Sequence, residues 1–191
     1  MGNICHNIRI IDLGCGTGTI SLLVSKKYPK AEITCLDIAN NMLEIAKGKL
    51  KGHRNTRFIQ ADIYGYEFDM KYDAIISSLT LHHLNSDADK INFYKKIYST
   101  LNEGGIFINA DIVLAATDFF QNISIKKWKE YMNRAVSEEE IENKWLAKYK
   151  EEDYPARLLD QVSWLEKIGF RDIEIFWKYY NFAVFGGLKN G

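Results

Sequence analysis

The sequence predicts an α/β fold: a doubly wound, mainly parallel sheet with helices on both faces and one antiparallel strand supplied by a C-terminal β-hairpin. Three observations predict it. Short apolar runs of strand type alternate with amphipathic helical stretches. The first run ends in three glycines at alternate positions, Gly14, Gly16 and Gly18. The last two β-rich runs are joined by a link too short for a parallel crossover, so they must be antiparallel. At 191 residues the chain fits a single domain, 1–191, long enough to bury a real core.

The elements follow in order. "IRIIDLG" is a short apolar run ending at glycine, a buried first strand. "TISLLVSKKYP" is a helix stopped by Pro29. "EITCLDI" is the second strand. "NNMLEIAKGKLK" is a helix with Met42, Ile45, Ala46 and Lys49 on one side, Asn41 as cap and Glu44 three residues on. "RFIQADI" and "YDAIISSL" are strands three and four. "DADKINFYKKIYSTLNEGG" places Ile91, Tyr94, Ile97, Tyr98 and Leu101 on one helical face, and Gly104–Gly105 end it. "IFINADIVL" is strand five. Near the C-terminus, Leu158, Val162, Leu165 and Ile168 mark an amphipathic helix closed by Gly169. "RDIEIFWKYYNFAVFGG" then makes the hairpin, turning near Lys178 to Asn181. Between strand five and that last helix lies Ala115 to Pro155, helical in pattern and rich in aromatics. It is too long for a simple connection and is expected to form a lid.

Composition narrows the function classes. Hydrophobic residues make up 47% and charged residues 26% of the chain, with 25 basic and 25 acidic side chains. A balanced charge gives no general pull towards nucleic acid or anionic membrane. Lys126, Lys127 and Lys129 are answered by Glu138, Glu139, Glu140 and Glu142, and both groups suit solvated faces. No run approaches a membrane span, and "MGNICHNIRI" is too short and polar for a signal peptide. His6 stands where a myristoylation signal needs Ser or Thr. Cys5, Cys15 and Cys35 form no metal-like spacing, which suits reduced thiols in a cytoplasmic protein.

The glycine loop raises the question of its ligand. A dinucleotide fingerprint wants G-x-G-x-x-G, but counting from Gly14 its third glycine falls on Thr19. A phosphate loop ends in Gly-Lys, and the nearest following lysine, Lys26, lies well into the next helix. Asp37 comes at the end of strand two and Asp62 after strand three. Ligands of doubly wound sheets bind at the carboxyl ends of the strands. There Asp37 can accept both hydroxyls of a ribose, and Asp62 can accept from an exocyclic amine. With no cation for a pyrophosphate, this describes an adenosine carrying an uncharged or cationic tail.

Taken together, "IIDLGCGTG", "CLDIANNMLEIA", "ADI" and "YDAIISSLTLHHL" resemble the successive motifs of the class I S-adenosylmethionine-dependent methyltransferases, most closely the small type 11/12 group. The terminal "KYYNFAVFGG" fits their C-terminal hairpin. The resemblance runs from about Arg9 to Leu188 and is weakest across Ala115 to Pro155. It implies a Rossmann-like sheet and S-adenosylmethionine as cofactor, with S-adenosylhomocysteine as product. It further implies that Gly14, Cys15 and Gly16 pack against the methionyl part, with Asp12 orienting the loop from its base. Asp37 would hold the ribose, and Ile38 and Met42 would flank the adenine. Asp62 would take the adenine amine beside Ile63, and Ser78 and Leu79 would lie near the methionyl amino group. Cys15 suits a small loop filler better than a reactive thiol.

Methyl transfer from a sulfonium needs mainly alignment and desolvation. The adjacent His82 and His83, just beyond strand four, are the candidate base or orienting pair. Two adjacent histidines alone are not a metal site, and no further ligand stands at a recognisable spacing. Trp128 and Tyr131 are candidate walls of the acceptor pocket. The expected activity is methyl transfer to a small molecule by a monomer or homodimer. The alternatives are a cofactor-binding protein without turnover, or a relative acting on tRNA. Members of this group usually carry one or two helices before the first strand. Only about six residues precede it here, so a more open acceptor site is expected.

Overall fold

In a computed structural model that describes residues 7–191, seven strands form one mixed sheet. They are β1 (Arg9–Leu13), β2 (Glu32–Asp37), β3 (Thr56–Gln60), β4 (Tyr72–Ser78), β5 (Leu101–Ile112), β6 (Arg171–Tyr179) and β7 (Phe182–Leu188). The helices are α1 (Thr19–Lys27), α2 (Asn40–Lys49), α3 (Asp87–Thr100), α4 (Asp118–Met132), α5 (Glu138–Glu140), α6 (Ala147–Glu152) and α7 (Leu158–Ile168). A 3₁₀ turn spans Leu81–His83, and a π-helical segment, Ile141–Leu146, joins α5 to α6. Met1 to His6, which include Cys5 and the residues read for a leader or lipid signal, lie outside the described residues.

The strand order is β3-β2-β1-β4-β5-β7-β6. β1 to β5 run parallel, and β7 inserts antiparallel between β5 and β6, as the short hairpin link requires. The hairpin closes on Tyr180 and Asn181, with Tyr180 at φ 50. From β1 the chain crosses to β2 on one side and later returns to β4 on the other. The crevice outside the ends of β1 and β4 is therefore the topological switch point.

Alternation along β1 explains why both faces are covered. Ile11 and Leu13 enter one core with Ile75, Phe107, Tyr94, Leu165 and Phe170. Ile10 points the other way into a second core with Ile33, Cys35, Leu43 and Leu50. Aromatic rings join α3 and β5 to the β6 entry: Tyr94 to Phe107 at 5.6 Å, Phe107 to Phe170 at 6.0 Å and Tyr98 to Phe170 at 4.9 Å between centroids. The buried Tyr94 hydroxyl donates to Gln161 Oε1 of α7 at 2.6 Å. No helix of the described residues is long and apolar enough to cross a membrane.

Three local expectations are corrected. Helix α2 is capped at Ala39, without a side-chain cap, rather than at Asn41. Its buried face is Leu43, Ala46 and then Leu50, while Met42 and Ile45 are exposed. Asp37 Oδ1 accepts the Ala39 N–H at 2.8 Å and so fixes the turn that leads into α2. Helix α3 ends at Thr100, and Gly104–Gly105 lie inside β5, where the register with β4 slips between Tyr72 and Ala74. Lys90 and Phe93 join Tyr94 and Ile97 on the buried face of α3.

Because the Phe170 ring is fully buried between two others, Phe170→Ala is expected to cost about 3–5 kcal/mol. The exposed Phe176→Ala should cost less than about 0.5 kcal/mol. Chemical denaturation of both variants measures the contrast.

Candidate active site

The three glycines of the first loop have different jobs, although all sit at positive φ. A Cβ on Gly14 would stand 2.0 Å from Thr80 Oγ1, so this glycine lets the loop pack against the residue after β4. A Cβ on Gly18 would stand 2.8 Å from the Ala46 Cβ, so this one lets α1 approach α2. Only Gly16 faces open space within 4 Å. It is the part of the loop that a ligand can approach.

Asp37 locks that loop. Its Oδ2 accepts the Gly16 N–H at 2.7 Å while Oδ1 accepts that of Ala39. One carboxylate thus joins the loops after β1 and β2. The Cys15 N–H adds a second stitch, donating to the Leu36 carbonyl at 2.9 Å. Cys15 itself is buried, and its thiol is held above the ordinary range by a side-chain hydrogen bond with Cys35 and then by burial. That suits a filler of the loop, not a nucleophile.

Asp12 behaves differently from Asp37. It is 1% exposed, and Oδ2 accepts the Ser21 hydroxyl of α1 at 2.6 Å. Ser21 Oγ in turn accepts from the Cys35 thiol at 3.3 Å. Asp12 anchors the helix behind the loop. Burial pushes its pKa up to about 6, and the charge of Asp37 adds to the rise.

Around the strand ends several apolar side chains are left in solvent. Ile38 is 64% and Leu79 52% exposed, and Met42 is also exposed. Leu79 adopts φ 53 while its N–H donates to the Ala110 carbonyl at 2.8 Å. A bulky residue in the left-handed region is strained, and such strain gathers at ligand sites. Asp62 turns the chain after β3 by accepting the Tyr64 N–H at 3.0 Å, beside the buried Ile63. Ser78 ends β4, and its carbonyl accepts the Thr80 hydroxyl at 3.1 Å.

His82 is buried, and its Nδ1 lies 2.5 Å from Asp111 Oδ1 on β5. Its Nε2 lies 3.5 Å from Asp153 Oδ1, as does Nδ1 of the half-exposed His83. The two imidazoles are 4.1 Å apart between centroids. Asp153 follows α6, and the next N–H, that of Tyr154, donates to the His82 carbonyl at 2.9 Å. The turn is propped from below by Lys90, whose buried ammonium donates to the Leu84 carbonyl. Burial lowers the pKa of that ammonium, opposed by Asp87, Asp111 and Asp89.

Trp128 packs edge-on against Tyr149 of α6 at 5.3 Å and Phe182 of β7 at 6.2 Å, holding α4 to the sheet. Tyr131 is 64% exposed, with the Arg134 guanidinium 5.7 Å from its ring. The structure gives Trp128 a packing role and leaves Tyr131 at the surface. Sequence reasoning missed Thr80, Asp111 and Asp153. Thr80 had a signal in its place directly after strand four; the two aspartates lie 29 and 71 residues beyond His82 and had none.

Residues 4–159 match a family model described as a methyltransferase domain. The chain belongs to that family. It is a class I S-adenosylmethionine-dependent methyltransferase domain, as its motifs imply. A malonyl-[acyl-carrier protein] O-methyltransferase of Priestia megaterium is 40% identical over 100 residues, covering 52% of this chain but 35% of that protein. A carboxy-S-adenosyl-L-methionine synthase of Nautilia profundicola is 27% identical over 183 residues, 95% of this chain and 77% of the relative. The chain thus spans only about a third of the length of the first relative and most of the second. Phosphoethanolamine N-methyltransferase 2 of Haemonchus contortus, solved with S-adenosyl-L-methionine, superposes with a TM-score of 0.70 at 15% identity, over all of this chain and 50% of that one. That likeness concerns the fold.

Two expectations follow. Gly14→Ala drives a methyl into Thr80 and should lower stability by about 1–3 kcal/mol more than Gly16→Ala, which meets only the left-handed φ. Thermal unfolding of the pair measures this. Asp12 binds its proton more tightly folded than unfolded, so folding gains from it below 3.8 and loses that gain as pH rises to about 6. Asp12→Asn should abolish that decline, worth on the order of 2–3 kcal/mol, in denaturation curves taken across the interval.

Proposed function

We propose that this chain binds S-adenosylmethionine across the ends of β1, β2 and β3. It transfers the methyl group to a small-molecule acceptor held between the end of β4 and a lid formed by residues 115–155. The observation that carries this reading is the Asp37 bridge. A carboxylate offers about four acceptor positions, and two are taken by Gly16 and Ala39. The remaining two match the vicinal hydroxyls of a ribose. Beside it, Gly16 is open to a ligand, and Ile38, Met42 and Leu79 offer apolar surface of the kind a purine and a thioether chain cover. Asp62 has acceptor capacity for an exocyclic amine at the neighbouring strand end. The loop itself, Gly14 to Ile20, carries no cation, and the one that reaches it, Lys49 of α2, is engaged by the Thr17 and Thr19 hydroxyls at 2.8 and 3.0 Å.

When bound, S-adenosylmethionine supplies a methyl group already made electrophilic by its sulfonium. The protein's task is then alignment and exclusion of water. Asp37 and the Gly16 loop set the position. Ser78 and Leu79 border the same end, and the His82–His83 turn shapes the acceptor side. A base is needed only if the acceptor must lose a proton.

One comparison favours a second reading in which the chain acts on the cofactor itself. The likeness to the carboxy-S-adenosyl-L-methionine synthase runs nearly end to end, whereas that to the malonyl methyltransferase covers half of the chain. Turnover of cofactor labelled in the methyl group, with the products weighed by mass spectrometry, separates the two. A labelled acceptor supports methyl transfer, and a carboxylated cofactor supports the second reading.

The site itself is tested by calorimetric titration with S-adenosylmethionine and S-adenosylhomocysteine. Loss of charged hydrogen bonds worth about 1.5–3 kcal/mol should weaken binding of both by roughly 10–100-fold in Asp37→Ala. Equal affinity in wild type and variant would overturn the assignment.

A further inference from the structure

His82, His83 and Asp153 bring two imidazole nitrogens and a carboxylate oxygen within 4.8 Å of one another. We propose that they form a binding site for a divalent transition cation of the zinc type, pinning the end of the 115–155 segment to the turn after β4. The site does not depend on the methyl-transfer reading.

The spacing suits such an ion. A tetrahedral centre with bonds of about 2.0–2.1 Å separates its ligand atoms by about 3.3–3.4 Å. Asp153 Oδ1 lies 3.5 Å from His82 Nε2 and 3.5 Å from His83 Nδ1. Hydrogen bonding assigns the tautomer of His82. Asp111 Oδ1 already accepts the Ile112 N–H at 2.9 Å, and Oδ2 accepts from Asn109 Nδ2 at 3.4 Å. A carboxylate can only accept, so His82 Nδ1 carries the proton on that side. In the neutral ring Nε2 then presents its lone pair to the Asp153 oxygen. A cation between the two satisfies both.

The Asp111–His82 pair is also the arrangement that fixes a metal-bound imidazole. A carboxylate on the far ring nitrogen sets the tautomer and raises the basicity of the ligating one. Two nitrogens and one oxygen favour zinc-like ions over magnesium or calcium, which take oxygen shells. His83 is 49% exposed, so a fourth position is open to water or to an oxygen donor. On loading, His83 gives up the Nδ1–H contact with the Glu152 carbonyl, 3.3 Å away, and takes the tautomer protonated at Nε2, which frees the Nδ1 lone pair for the ion. The His82 carbonyl keeps its bond from the Tyr154 N–H, so the segment is already seated when the ion arrives.

The test uses the full chain without an affinity tag, stripped of metal and titrated with Co²⁺, followed by displacement with Zn²⁺. The expected result is one equivalent of Co²⁺ with the intense visible bands of a tetrahedral site. Asp153→Asn, which keeps the size of a side chain 14% exposed, and His83→Ala, at an exposed one, should each weaken binding by about tenfold or more. The double variant Cys5→Ser/His6→Ala should bind as wild type does. Three results would each overturn the proposal. They are no stoichiometric binding, unchanged affinity in both Asp153→Asn and His83→Ala, and loss of the ion on replacing Cys5 and His6. In the first case a proton shared between His82 and Asp153 takes the place of the metal.

Discussion

The site hangs on one carboxylate. Asp37 holds the Gly16 N–H with one oxygen and the Ala39 N–H with the other, at 2.7 and 2.8 Å. Charge-assisted bonds of this kind are about twice as strong as neutral ones. They join the loop after β1 to the turn that starts α2. They hold the tight turn of the Gly16 loop in place, with Gly16 itself facing open space. The Cys15–Leu36 bond runs between the same two segments, so the loop is held at consecutive residues. A ligand entering there meets backbone whose ordering entropy has already been spent in folding.

The sheet places that carboxylate. β2, β1 and β4 are adjacent and parallel, so their carboxyl ends open on one rim. Burial on both faces of the central strands removes any freedom of register, because a slip of one residue would exchange the two cores. At the far edge, β7 and β6 close the larger core over Phe107, Phe170 and Phe185, away from the rim. The rim is left with the features that packing does not need: exposed Ile38 and Leu79, and the left-handed backbone of Leu79.

The alternation of apolar strands and amphipathic helices made the fold legible in the sequence, and the short link at Tyr180–Asn181 made the reversed strand legible. Element ends were less so. Periodicity puts Met42 and Ile45 on one side of α2, yet both stay in solvent, because periodicity alone cannot tell an exposed apolar rim from a core. Gly104–Gly105 resembled a helix stop, but the helix leaves its axis at Leu101, which is already extended and buried. In the site, the glycine loop, Asp37 and the histidine pair could be named because they stand next to strand ends. Their division of labour could not. That Gly14 serves Thr80, that Asp12 serves Ser21, and that Asp111 and Asp153 flank His82 are facts about strands and segments distant in sequence.

Three aspartates at strand ends show how environment sorts one side chain into different tasks. Asp12 is enclosed, has the Ser21 hydroxyl as its side-chain donor, and is pushed towards its neutral form; it serves as structural glue for α1. Asp37 sits at the rim with two backbone donors and spare acceptor positions; it can hold the loop and still receive a ligand. Asp111 is buried like Asp12, yet it faces an imidazole instead of a hydroxyl, with Lys90 close enough for its ammonium to feel the charge. It therefore has a partner that can share a proton with it. The order of these sites across the rim, from β2 through β1 to β5, runs from loop lock to scaffold to imidazole anchor. Replacing any one of them by another's surroundings would remove its function without changing its chemistry. Function at this rim belongs to the donors around each carboxylate more than to the residue type itself.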